Sequence, residues 1–192
     1  AKISDDAMTA LSLVFPVQNF INAVAIGFGI GINAVIAIHL GAGEGDKADK
    51  AASQGLLLSA VHGVLLTAVC IPLMPVFLGM FTDAENVVSL GVQYSAIAFL
   101  FAPVIMLGIS LEKIFQSVGM MKVTMMSMLC GCITNIILDP VLIFGLGPFP
   151  QLGMRGAAVA TAAGQVLTLI IYIVVYFVKN MPVKLNLVDI SE

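Results

Sequence analysis

Asp139 is the residue on which chemistry is most plainly written. It stands within an apolar stretch, next to Pro140, and Asn135 precedes it by four residues. A carboxylate well inside a hydrocarbon-compatible run costs a few kcal/mol or more, so it persists where it lines a cavity, pairs or moves ions. Pro140 removes a backbone donor, which predicts a helix kink and a freed carbonyl at Ile136. Carboxylate, carbonyl and the Asn135 amide on one helix face are hard oxygen ligands suited to Na⁺ or H⁺. Structural neutralisation at a kink is the competing reading. Thr161 is the next candidate. It lies about 8 Å inside its own run, and Asp139 lies about 9 Å inside the preceding one, at 1.5 Å per helical residue. The two meet at one depth if the runs are antiparallel helices. A membrane threonine also commonly bonds its own i−4 carbonyl, so both roles stand open. Gln165, one turn deeper, and the i, i+4 pair Gln18 and Asn22 are candidate cavity-lining residues, with interhelical hydrogen bonding as the alternative.

The elements that must position these groups follow from composition. The chain has 192 residues, of which 60% are hydrophobic and 10% charged, with a net charge of −3. Soluble domains average about 45–50% apolar and 25% charged residues, so a soluble domain and a disordered chain are both excluded. No basic field exists to bind nucleic acid. Five runs nearly free of charge predict spans over residues 8–40, 52–81, 87–111, 123–145 and 156–178, because a span takes about 20 residues. No run alternates with period two, which argues against a barrel. The expected fold is an all-α polytopic transmembrane bundle forming a single domain over 1–192. Residues 179–192 are expected to be a frayed cytoplasmic tail or linker. Gly27, Gly29 and Gly31 read as a close-packing face. Cys70, Cys130 and Cys132 read as small buried hydrophobes. No hydrolase or metalloprotease motif appears, so no enzyme, cofactor or metal site beyond a Na⁺ is expected.

Lysine and arginine set the orientation. The ends facing one side carry Lys47, Lys50, Lys113, Lys122, Lys179 and Lys184, and the opposite ends carry Lys2 and Arg155. The first side is therefore expected to be cytoplasmic, with the N-terminus outside and the C-terminus inside. Residue 1 is Ala, and Lys2 followed by Asp5 and Asp6 does not read as a signal peptide. An outside start with an odd number of spans leads to the expectation that at least one helix precedes residue 1.

Four segments resemble the MATE (multidrug and toxic compound extrusion) transporters. Phe15-Pro16, the glycines at 27–31 and Ile38-His-Leu-Gly-Ala-Gly43 resemble the family's second helix and following turn. Glu112-Lys-Ile-Phe-Gln116-Ser-Val-Gly119 is similar to the inner end of the fourth, in the bacterial subgroup. Asn135-Ile-Ile-Leu-Asp139-Pro140 with Ile143-Phe-Gly145 is similar to the fifth, and Gly153-Met-Arg-Gly156 to Thr161 resembles the start of the sixth. The resemblance implies helices two to six of a six-helix lobe in a twelve-helix transporter, with the first helix and the C-terminal lobe as missing partners. It implies antiport of organic cations or amphiphilic drugs against Na⁺ or H⁺ in the plasma membrane. The family's ion site would fall on Asn135, Asp139 and Thr161. The alternatives are a lipid-linked oligosaccharide flippase of the same superfamily and a non-transporting membrane structural protein.

Overall fold

The computed structural model describes residues 5–186, and among them the only regular elements are six α-helices. They are α1 (Asp5–Gly41), α2 (Gly45–Gly79), α3 (Glu85–Leu100), α4 (Ala102–Ser117), α5 (Met121–Phe144) and α6 (Met154–Val178). Four are long and apolar enough to cross a membrane, and α3 with α4 pass the same test together as a bent pair, which would be a fifth crossing if the pair is one span. With 37 and 35 residues, α1 and α2 exceed the roughly 20 that a bilayer needs, so both tilt or emerge from it. Large apolar side chains such as Phe15, Phe20, Ile38, Val69 and Phe177 stand exposed around the bundle, where lipid would meet them.

The continuous helix expected over 87–111 is two helices that meet at 45° around Phe101. Pro103 explains the break. It lacks the N–H that would bond the carbonyl of Phe99, and Thr67 Oγ1 of α2 donates to that carbonyl instead, at 2.7 Å. Gly63 lets α2 approach the break, since a Cβ there would lie 2.5 Å from Pro103 Cα.

Two apolar cores fill the two ends of the bundle. Val14, Ile21, Met74, Leu78, Tyr94, Phe99 and Ala158 form one. Ile32, Ile36, Ala52, Ile114, Phe115, Tyr172 and Val183 form the other. The lysine-bearing helix ends cluster around the second core. There the α1–α2 turn is tied by Glu44, which accepts from Lys47 Nζ and pairs with His39 Nδ1, each at 2.8 Å. These bonds, Lys47 first, hold the Glu44 carboxyl below the usual carboxylate range.

The segment after α6 departs from the frayed tail expected of it. Val183 is fully buried, and three backbone N–H groups find side-chain acceptors. Lys184 N donates to Asp49 Oδ1, Leu185 N to Tyr176 Oη, and Asn186 N to Ser53 Oγ. An otherwise irregular strand of chain is thereby strapped across α2 and α6. Residues 187–192 of the expected tail, and Lys2 of the charge count, lie outside the described residues.

Candidate functional site

The α5–α6 hairpin carries the predicted ion-site residues. Its helices touch backbone to backbone at Gly131 and Gly164, where a Cβ on Gly164 would lie 2.7 Å from the Gly131 carbonyl oxygen. That crossing sets the heights of the side chains on both helices. It brings Asn135 Nδ2 within 3.4 Å of Thr161 Oγ1, while Thr161 Oγ1 donates to Ala157 O at 3.0 Å. Thr161 thus bonds the i−4 carbonyl of its own helix and at the same time stands level with Asn135 on the neighbouring one.

Asp139 lies one turn beyond Asn135, on the wall of a cavity of about 430 Å³. Its Oδ1 is buried and has no hydrogen-bond partner. An orphaned carboxylate oxygen in an apolar setting is costly, and a cation or a proton relieves that cost. The same cavity is lined by Thr161, Tyr94 and the start of α1 at Ala7, Met8 and Leu11. Sequence reasoning missed Tyr94. Its hydroxyl donates to Gln18 Oε1 at 3.3 Å, and its helix packs on both α1 and α6. A lone tyrosine in an apolar run gives no periodic signal, so only the packing of α3 exposes its role.

Pro140 sits within α5, which continues through it to Phe144 and ends at Gly145 in the left-handed region, φ 70°. The loop that follows folds back, with Leu152 N and Gly153 N donating to the carbonyls of Leu142 and Ile143.

Gln18, Asn22, Thr161 and Gln165 share a second, small cavity between α1, α3, α4 and α6. Asn22, Asn135, Thr161 and Gln165 also line a groove of about 610 Å³ that reaches Glu112 and Lys113 near the end of α4. Thr161 therefore borders all three spaces, and Asp139 borders the first. Cys132 is exposed on the groove wall rather than buried. The glycine cluster on α1 is also looser than a close-packing face. A Cβ on Gly29 would meet Lys113, but Gly27 and Gly31 have nothing within 4 Å.

The MatE family model matches residues 1–141. The chain is 33% identical over 162 residues to the FAD transporter of Shewanella oneidensis, covering 84% of this chain and 36% of that protein. It is 31% identical over 176 residues to the multidrug export protein MepA of Staphylococcus aureus, covering 92% of this chain and 38% of that one. Its fold superposes on the outward-facing conformation of a multidrug resistance MATE family transporter of the MOP superfamily. That match has a TM-score of 0.91 at 30% identity and covers 99% of this chain and 42% of the solved one.

Proposed function

Because the chain belongs to the MatE family, we propose that it works as part of one lobe of a longer cation-coupled antiporter that exports organic cations or amphiphilic drugs. The chain spans little more than a third of the curated relatives it matches, which accords with five of the six helices of one lobe rather than a whole lobe. In this reading the lysine-rich ends face the cytoplasm and the Asp139 cavity opens toward the outside.

The orphaned Asp139 Oδ1, buried in a cavity it shares with Thr161, is the observation that carries the proposal. Asp139 takes up H⁺ or Na⁺, with the Thr161 hydroxyl and Asn135 amide as further oxygen donors. Pro140 leaves the Ile136 carbonyl without its helical N–H, so one fewer helical hydrogen bond resists bending of α5 there. Gln18, Asn22 and Gln165 connect this site to the groove, where the exported compound sits. Ion and compound must favour different states of the lobe, since a ligand with equal affinity for both states shifts nothing.

The test uses the full-length transporter in proteoliposomes, following efflux of a fluorescent organic cation under a Na⁺ gradient and then a H⁺ gradient. Efflux is expected under one gradient and is expected to vanish in Asp139→Asn at matched incorporation. Equal efflux by Asp139→Asn would remove the carboxylate from the mechanism. A relative named for FAD favours a second reading, export of an anionic dinucleotide. FAD efflux without organic-cation efflux in the same vesicles would select it.

A further inference from the structure

The groove of about 610 Å³ is lined by amides, hydroxyls, glycines and apolar side chains, with one carboxylate and one ammonium among them, Glu112 and Lys113. The two are neighbours in sequence on α4, and their side chains are only 15% and 20% exposed. Lys113 Nζ lies 3.2 Å from Glu112 Oε1 and donates to Gln116 Oε1 at 2.9 Å. Gln116 Nε2 donates to the same Glu112 oxygen at 2.7 Å. The groove therefore holds a full charge of each sign that cancel each other.

Successive residues on a helix point about 100° apart and do not ordinarily meet. Lys113 reaches its neighbour because α1 makes room for its stem. A Cβ on Gly29 would sit 2.8 Å from Lys113 Cγ, so this glycine is the slot in which the lysine lies. Asn33 Nδ2 donates to the Lys113 carbonyl at 3.0 Å and holds α1 to α4 at the same level. The pair is thus built by two helices rather than formed by chance at a solvated helix end.

We propose that Lys113 is a tethered counter-ion, which occupies Glu112 while the groove is empty and yields that carboxylate to the positive charge of a bound organic cation. The proposal rests on the reading of the groove as the path of an exported cation. A carboxylate this buried is costly without a partner, so the empty groove needs a cation of its own. A lysine ammonium is a point charge on a flexible stem and exchanges partners readily, where a bidentate guanidinium would not. Lys113 then competes with every cationic ligand and leaves uncharged ligands unaffected, which makes it a specificity-determining residue of the groove.

Binding to the purified full-length transporter tests this, with ethidium as the cationic probe and an uncharged naphthylamine dye of similar size. Lys113→Gln is expected to tighten ethidium about fivefold to tenfold, on the scale of losing one partly buried competing charge, with the uncharged dye unchanged. Glu112→Gln is expected to weaken ethidium by a similar factor and to abolish the gain from Lys113→Gln in the double variant. If Lys113→Gln does not fold, Glu112→Gln alone decides, since the proposal requires it to weaken ethidium and spare the uncharged dye. Unchanged ethidium binding by these variants, with ion-driven efflux intact, overturns the counter-ion role and leaves the antiporter reading standing. Absence of both ethidium binding and organic-cation efflux in the native protein overturns both.

Discussion

At Thr161 one hydroxyl does two things whose separation can be measured. It donates to the Ala157 carbonyl and lies within reach of the Asn135 amide. Thr161→Val keeps the shape and removes both interactions, leaving Asn135 without that acceptor. An unmet buried polar group costs about 1–3 kcal/mol, and removing an oxygen donor weakens ion binding as well. The expected outcome is a shift of ion-driven efflux to higher ion concentration, about tenfold for each 1.4 kcal/mol lost. Thr161→Ser is expected to restore the native dependence. Equal ion dependence in all three proteins would show that Thr161 serves only its own helix. Asp139 and Asn135 were legible as candidates because a charge or amide stands out in an apolar run, and Thr161 because its depth matches that of Asp139. Tyr94 was not, because an aromatic residue there looks like any core residue until α3 is placed.

Among the elements, the α5–α6 hairpin depends on the absence of two side chains. A Cβ on Gly131 would collide with Thr168 Oγ1 and lie 2.9 Å from the Gly164 carbonyl oxygen. Overpacking of this kind costs about 1–3 kcal/mol, so Gly131→Ala and Gly164→Ala are each expected to lower the thermal unfolding temperature in detergent. Gly27→Ala meets open space and is expected to be neutral or slightly stabilising, by up to about 1 kcal/mol from the helix preference of alanine alone. A loss at Gly27 equal to that at Gly131 would contradict this account of the crossing. Spacing alone drew attention to the α1 glycines and passed over Gly131 and Gly164, which lie on different helices. The bend at Phe101 was hidden in a related way. Pro103 announces a missing N–H, but a proline near the start of a helix and one within a span look alike without the Thr67 hydroxyl that takes over the Phe99 carbonyl.

On the scale of the whole molecule, the strap after α6 closes one end of the bundle. Val183→Ala is expected to cost about 1–3 kcal/mol through lost burial and the space left behind. Asp49→Ala removes the acceptor of Lys184 N–H and is expected to cost about 1 kcal/mol. Because both act on one segment, a double-mutant cycle in thermal or denaturant unfolding is expected to be non-additive. Strict additivity would mean that the strap does not act as a unit. Fastening α2 to α6 at this end also favours motion of these helices as one body, which the proposed alternating access by rocking of two lobes would require.

Composition and pattern together determined that this chain is a helical membrane bundle, because five long apolar runs must satisfy their backbone hydrogen bonds as helices or a closed barrel, and none alternates with the period two of a barrel strand. The isolated carboxylate beside a proline likewise marked Asp139, since burying a charge without purpose is too costly to be frequent. Tertiary structure alone decided what those groups meet. It set the Gly131–Gly164 crossing that levels Asn135 with Thr161, the slot at Gly29 that turns Lys113 toward Glu112, and the docking of Val183. These depend on how helices far apart in sequence approach one another, and a periodicity read along one helix holds no information about the distance to the next.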